Sequence, residues 1–340
     1  MTGRKAIQPR KVARRRLKTA VTKRPAEQQV AAHSVSRALN IIGDRATLLI
    51  LNCALLGVRR FNDFKLVTGL APSLLTDRLQ RLTEAKVMRR VAYSKRPIRY
   101  EYRLTKMGVG LHDTALMMIR WERRWHFDPA SPMQRPVHAG CGKEFTPEFM
   151  CSACGHFADA RDVYAVDGPG AGLDKPRGPR AQRRSTKLEE EPKTAHPMLE
   201  RAGMLLGDRW TSHVIAAAFR GAKRFADFQD RLKIASNILA DRLGRLVDAG
   251  ILKKQQYEVR PKRLAYRLTD EGRDIFPLIM TLMAWGDRWL DGGKGPPLIV
   301  RHKACGAKLI PKITCNHCGE VVDHHNVTSP HTEALQTIRR

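Results

Sequence analysis

The residues best able to do chemistry lie in two stretches, "HAGCGKEFTPEFMCSACG" from His138 to Gly155 and "HKACGAKLIPKITCNHCG" from His302 to Gly319. Each reads H-x-x-C-G and then C-x-x-C-G, and together they hold six of the seven cysteines. Two ligands separated by two residues bend around one ion, and the glycine that follows lets the chain turn tightly. Two such knuckles supply four ligands and close a tetrahedral structural site, with no open position for a reacting water. The spacing therefore predicts two zinc ions. One would be held by His138, Cys141, Cys151 and Cys154, the other by His302, Cys305, Cys315 and Cys318. His156, His317, His324 and His325 are alternative fourth ligands, but only His138 and His302 occupy equivalent places. In an intracellular chain disulfides are disfavoured. Metal in so small a segment chiefly supplies folding energy; a zinc or redox sensor is the sharper alternative. Cys53 stands apart, with Ala217 at its equivalent place, and reads as a small buried residue.

The stretches recur because the chain is written twice. "GDRATLLIL" at Gly43 returns as "GDRWTSHVI" at Gly207, "RRFNDF" at Arg59 as "KRFADF" at Lys223, and "LLTDRLQRLTEA" at Leu74 as "ILADRLGRLVDA" at Ile238. Trp121 and Trp125 return as Trp285 and Trp289, all at one offset of 164. Such self-similarity marks a tandem duplication. Between the copies, Asp167 to Lys193 is rich in Gly, Pro and charge and reads as a linker. Its "KPRGPR" (Lys175 to Arg180) faintly resembles a minor-groove hook. The expected division is a basic arm at 1–30, a winged-helix domain at 31–130, a zinc ribbon at 131–166 and a linker at 167–195. A second winged-helix domain at 196–292, a second ribbon at 293–325 and a tail at 326–340 follow.

Lys and Arg number 62 against 33 Asp and Glu, a formal charge of +29 over 340 residues. Such an excess points to a polyanionic partner, of which nucleic acid is the commonest. The first 24 residues are basic and contain no acid, as suits a flexible arm against phosphates. No apolar run approaches the ~20 residues of a membrane span. No paired carboxylates, phosphate loop or nucleophile–base constellation stands out, so an enzyme is not expected. The expected location is the cytoplasm, on the nucleoid.

Within the first copy, Ile42, Ala46, Leu49, Cys53 and Leu56 recur at helical spacing. Phe61 and Phe64 open a short second helix, and Pro72-Ser73 start a third, on which Leu75, Leu79 and Leu82 face the core. Two strand-like runs, Val87–Tyr93 and Ile98–Leu104, precede a final helix from about Thr105 to Trp125. Three helices and a hairpin with a basic tip outline a winged helix-turn-helix, so the fold class is mainly α with small β-wings (α+β). The third helix of such a unit enters the major groove. Its candidate contacts are Ser73, Leu74, Thr76, Arg78, Gln80 and Arg81 in the first copy. In the second they are Ser236, Asn237, Ile238, Ala240, Arg242, Gly244 and Arg245. Gln80 and Asn237 can pair bidentately with adenine. Arg78 and Arg242 read first as partners of a nearby acid or as phosphate clamps, and only second as base contacts. Asp77 and Asp241 read as structural, because a carboxylate facing phosphates costs affinity. The wing tips offer Lys95, Arg96 and Arg99, and then Arg260, Lys262 and Arg263. Trp121, Trp125, Trp285 and Trp289 either anchor their own domains or pack the two terminal helices together.

"ALNIIGDRATLLIL", "RRFNDF", "LLTDRLQRLTEAKVM" and "RPIRYEYRLTKMG", with their counterparts in the second copy, resemble the HxlR-type transcriptional regulators of bacteria. The resemblance covers roughly 33–126 and 197–290. It implies DNA-binding winged-helix repressors or activators that work as two-fold dimers, and zinc-ribbon-like tails are similar to those of longer members. Family members often carry Trp after G-[DEK]-[RK]; the second copy keeps it as Trp210, whereas the first has Ala46. Many members carry a cysteine ten residues before that glycine, in some a redox sensor. Here His33 and Pro197 stand there, which excludes thiol switching by that route. The expected function is a sequence-specific double-stranded DNA-binding regulator, a tandem pseudo-dimer with two structural zinc ions that reads two unlike half-sites. Further homodimerisation is compatible with this layout. The alternatives are an architectural or basal DNA-binding factor with little sequence choice, or a zinc- or redox-responsive interaction module.

Overall fold

Gly43 and Asp44 split what the sequence pattern reads as one opening helix. The computed structural model describes residues 30–130, 135–174, 201, 204–207, 209–258 and 263–328. The basic arm up to 29, the KPRGPR segment and the wing-tip residues Arg260 and Lys262 lie outside these. Helix α1 (Ser34–Ile42) ends at Gly43, and α2 (Arg45–Leu55) departs at 85°. Asp44 has extended backbone and its carboxylate accepts the Thr47 N–H at 3.1 Å, an N-cap that starts a new helix. The break turns the apolar face. Thr47, Ile50, Leu51 and Cys53 are buried, while Ala46, Leu49 and Leu56 are half-buried. Burial also pushes the Cys53 thiol up to about 12, as befits an inert core residue.

Helices α3 (Phe61–Thr68) and α4 (Pro72–Glu84) follow, with Pro72 in the first turn of α4. Leu75, Leu79 and Leu82 of α4 are fully buried, so its opposite face is left to solvent. Strands β2 (Met88–Lys95) and β3 (Ile98–Leu104) pair antiparallel from Met88↔Leu104 to Lys95↔Ile98 and form the wing; β1 is the short Val30–Ala31. The final helix is also broken. Thr105 caps the single turn α5 (Lys106–Val109), and α6 (His112–Trp125) begins after Gly110. The second copy repeats the plan in α7 (Arg209–Phe219), α8 (Phe225–Leu232), α9 (Ser236–Asp248), α10 (Asp270–Arg273) and α11 (Phe276–Trp289). Among the described residues no single helix is long and apolar enough to cross a membrane.

The small strands are β4 (Val137–His138), β5 (Lys143–Glu144), β6 (Pro147–Cys151), β7 (Val163–Asp167) and β8 (Leu173–Asp174) after the first winged helix. After the second come β11 (Leu298–His302), β12 (Pro311–Cys315) and β13 (Val327–Thr328), its wing being β9 (Leu252–Glu258) and β10 (Arg263–Leu268). Three of the small-strand pairings run between the copies, while β5 pairs with β4 and β8 with β1 inside the first. Strand β6 pairs antiparallel with β12, placing Phe149 opposite Ile313, its own counterpart at the offset of 164. Strand β11 pairs with β7 through His302↔Val163, and β13 with β4 through the equivalent His138↔Val327. The two ribbons are interleaved about an approximate two-fold axis.

The helices obey the same axis. Trp121 donates its indole N–H to the Glu271 carbonyl at 3.1 Å, and Trp285 donates to the equivalent Met107 carbonyl at 2.7 Å. Of the two roles open to these tryptophans, the bonds lie between copies, although Trp121 and Trp285 are also core residues. Helix α1 packs on α11, so each copy's core is completed by the other.

Asp44 ties two elements together. Besides capping α2, it accepts from Arg78 Nε on α4 at 2.9 Å. Asp44→Ala removes the cap and leaves Arg78 only its neighbour Asp77, and thermal unfolding should register a loss of about 1–2 kcal/mol.

Candidate DNA interface and metal centres

The exposed face of α4 carries Ser73, Thr76, Gln80 and Arg81, and that of α9 carries Ser236, Asn237, Ala240 and Arg245. Thr76 is partly committed, its hydroxyl donating to the Pro72 carbonyl at 2.8 Å, and Gln80 donates to Glu84 at 2.9 Å. These are bonds along an exposed helix, which a base edge can replace. Asn237 is exposed in the first turn of α9, and Ser236 beside it accepts from Gln229 at 2.7 Å. A Cβ on Gly244 would meet nothing within 4 Å, so packing inside the protein does not call for glycine there.

Arg78, a DNA-contact candidate that also reads as the partner of a nearby acid, is drawn inward. It bridges Asp44 and the adjacent Asp77, and its side chain is only 13% exposed. Its partners on α2 and α4 hold the reading helix to the domain. Arg242 pairs with Asp241 and is half-buried. The Asp77 and Asp241 carboxylates also pair with Arg81 and Arg245 one turn on, each at 3.0 Å. That neutralises acids which would otherwise face phosphates. Ion pairs this exposed contribute little stability, so both outer arginines can exchange partners at low cost.

Lys95, Arg96 and Arg99 are exposed at the end of the first wing, and Arg263 is exposed beside Glu258 at 3.2 Å in the second. Sequence reasoning missed a brace behind them. The Arg60 guanidinium lies 4.8 Å over the Tyr93 ring, and Arg224 lies 4.9 Å over Tyr257, joining the start of the second helix to the wing. The signal was available, because an arginine and a tyrosine 33 residues later recur in both copies. Arg90 lies likewise over Tyr100 at 4.1 Å.

The cysteines overturn the expected grouping. His138 and Cys141 stand with Cys315 and Cys318, and Cys151 and Cys154 stand with His302 and Cys305. Each set takes one knuckle from each copy. In both, the ligand atoms lie within 4.8 Å of one another. Cys141 and Cys315 sulfurs are 3.9 Å apart, as are those of Cys151 and Cys305, too far for disulfides. Cys318 Sγ is 3.3 Å from His138 Nδ1, and Cys154 Sγ is 3.3 Å from His302 Nδ1. Sulfurs around tetrahedral zinc, at ~2.3 Å from the ion, stand about 3.8 Å apart, so these spacings fit.

Local geometry makes the knuckles alike. The N–H groups of Gly142, Gly155, Gly306 and Gly319 each bond the carbonyl four residues back, at 2.8–2.9 Å. All four glycines have φ between 69° and 73°, a conformation other residues rarely adopt. Burial would raise the Cys151 thiol, but the amides of Cys154 and Ala153 and the neighbouring thiols bring it below its ordinary value. Cys315 is lowered in the same way by the amides of Cys318 and His317. His138 and His302 are fully buried, and His138 Nε2 lies 3.9 Å from the Glu320 carboxylate. The other candidate histidines are not among these ligands; His317 bonds the Glu144 carbonyl at 2.9 Å instead.

The model of one family, HxlR-like helix-turn-helix, matches residues 41–129 and again 205–294. This chain belongs to that family. An uncharacterized HTH-type transcriptional regulator of Mycobacterium tuberculosis is 42% identical to it over 128 residues, which are 38% of this chain and 81% of the relative. YodB, an HTH-type transcriptional regulator of Bacillus subtilis, is 31% identical over 101 residues, 29% of this chain and 90% of YodB. The solved reduced form of YodB is similar at 30% identity over 29% of this chain and 98% of its own, with a TM-score of 0.27. Both metal-ligand sets lie outside the two matched ranges.

Paired serine variants read the grouping directly. Zinc-loaded Cys141→Ser/Cys318→Ser is expected to lose one of two ions by elemental analysis. Cys141→Ser/Cys151→Ser should lose both, the reverse of what ribbons closed within each copy would give.

Proposed function

We propose that the protein is a sequence-specific, double-stranded DNA-binding transcriptional regulator in which one chain supplies both halves of a dimer-like reader. The observation that carries this reading is the pair of exposed reading helices, α4 and α9, in a chain of the HxlR-like helix-turn-helix family. Their outward residues differ, Ser73, Thr76 and Gln80 against Asn237, Ala240 and Gly244, so the two halves of the site should differ as well. Wings with basic tips supply phosphate contacts that fix register. The arm at 1–30 would add more, in the cytoplasm where the nucleoid lies.

On this reading the winged helices occupy 31–130 and 196–292, with 167–195 as linker and 326–340 as tail. The ribbons at 131–166 and 293–325 act jointly. Two structural zinc ions would be held by His138, Cys141, Cys315 and Cys318, and by Cys151, Cys154, His302 and Cys305. Bound there, zinc supplies a rigid four-ligand crosslink. The chain's own part is to present the thiols on tight knuckles and to bury the imidazoles so that Nδ1 faces the sulfurs.

The net charge of +29 favours a second reading, an architectural protein held by phosphates alone. Selection of duplexes from a random pool at physiological salt separates the two. Two unlike half-sites about 10 bp apart, or a multiple, are expected, whereas pools without a consensus would leave the architectural reading. Gln80→Ala should relax preference in one half-site only, by about 1–3 kcal/mol at the adenine it reads, measured by competition binding.

A further inference from the structure

The approximate two-fold axis is broken at a buried point on α6. Arg120 on α6 pairs with Asp274 at 2.9 Å, and the residue is only 6% exposed. Asp274 also accepts the Trp125 indole N–H at 2.9 Å. At the equivalent place across the axis stand Ala284 and Gly110, with no charge on either side. A Cβ on Gly110 would come within 3.3 Å of Trp285 and Trp289, so that side is closed around a glycine.

A second asymmetry lies nearby. Glu122 is fully buried and paired with Arg201 of the second copy. Its counterpart is Gly286, where α1 approaches so closely that a Cβ would stand 2.5 Å from the Ser34 carbonyl oxygen. Helix α1 therefore fits only the last helix of the second copy. A glutamate in the place of Gly286 would collide with it.

Now consider copies paired with their own kind. Two first copies would set Arg120 against Gly110, and two second copies would set Asp274 against Ala284. The first pairing buries Arg120 without a partner at both symmetry-related places, and the second leaves Asp274 only an exposed arginine, Arg288, where Arg124 stands 3.5 Å from it here. An unpaired buried charge is among the costliest defects an interface can carry. Two first copies would also press α1 onto Glu122.

We infer that the two copies are obligate partners of each other: the face each presents fits the other copy of this sequence and rejects a second copy of itself. This deepens the pseudo-dimer reading and rests on it. The charged pair acts mainly as a discriminator, since the other side is closed by small uncharged residues with no such pair. The interface a dimeric relative would offer to another chain is thus consumed within one chain. A fixed order of unlike half-sites follows, because a first copy cannot replace a second.

The test uses the full zinc-loaded chain. Small-angle scattering and light scattering should give a closed particle of 38.4 kDa. A parent with two separated winged helices would overturn the pseudo-dimer reading itself. Denaturant unfolding then compares Arg120→Ala, Asp274→Gly and the double variant, which installs the residues already present across the axis. Each single change should lower the folding equilibrium constant roughly tenfold or more, and the double variant should recover to within about threefold of the parent. Losses that simply add would overturn this inference while leaving the closed chain intact. Asp274→Gly/Ala284→Arg gives both copies first-type residues at the pair. It should open the particle or shift it to larger species, and a closed, parent-like particle would count against the inference.

Discussion

The antiparallel pairing of β6 with β12 is the constraint from which the rest of the molecule follows. Because Phe149 lies opposite Ile313, its own counterpart, an axis must pass between them. Every element beyond that point is placed twice, once on each side. The first knuckle of each copy is carried away from its own second knuckle and toward the other's. Phe149 meanwhile stands edge-on to Phe276 at 6.1 Å, so the ribbon pair is fastened to the helical core of the second copy. Ribbons, terminal helices and α1 thus make one interface in place of three.

This arrangement explains a division of labour along each winged helix. Residues facing the axis are apolar or carry matched charge, as in Trp121, Trp285 and the Arg120–Asp274 pair. Residues exposed on the far side, on α4, α9 and the wings, are mostly polar or basic, with Ile98 and Ala240 among the exceptions. Asp44 connects the two zones by capping α2 while holding Arg78 of the reading helix. A displacement of α2 at the interface would therefore reach α4 through one carboxylate. The pair is half-buried, which makes it stiffer than the exposed Arg81–Asp77 pair beside it.

Duplication also left room for divergence. A homodimer must use each contact residue on both sides of its axis, so a change is tested twice. Once the copies share a chain, each side can change alone. Arg120 could be balanced by Asp274 without Ala284 or Gly110 following. The same freedom separates Gln80 from Gly244 on the reading helices and Glu122 from Gly286 at the axis.

The sequence by itself determined the winged-helix units, their duplication, the buried leucines of α4 and the eight Cys and His residues that cluster. These are local facts, set by helical periodicity, by the glycine that each knuckle needs and by exact repetition. It also marked Asp77 and Asp241 as structural. Three things were not legible. The break at Gly43 depends on Asp44 winning the Thr47 amide against a continuous helix, a balance that apolar spacing does not express. The identity of the acid that holds Arg78 was hidden too, since Asp44 lies 34 positions away and a one-dimensional pattern does not say which acid is near. Above all, the grouping of the ligands was decided by tertiary structure alone. Identical knuckles have identical spacing, so His138 and Cys141 suit either copy's C-x-x-C pair equally well. The pairing of β6 with β12, seconded by β4 on β13 and β11 on β7, chooses between them.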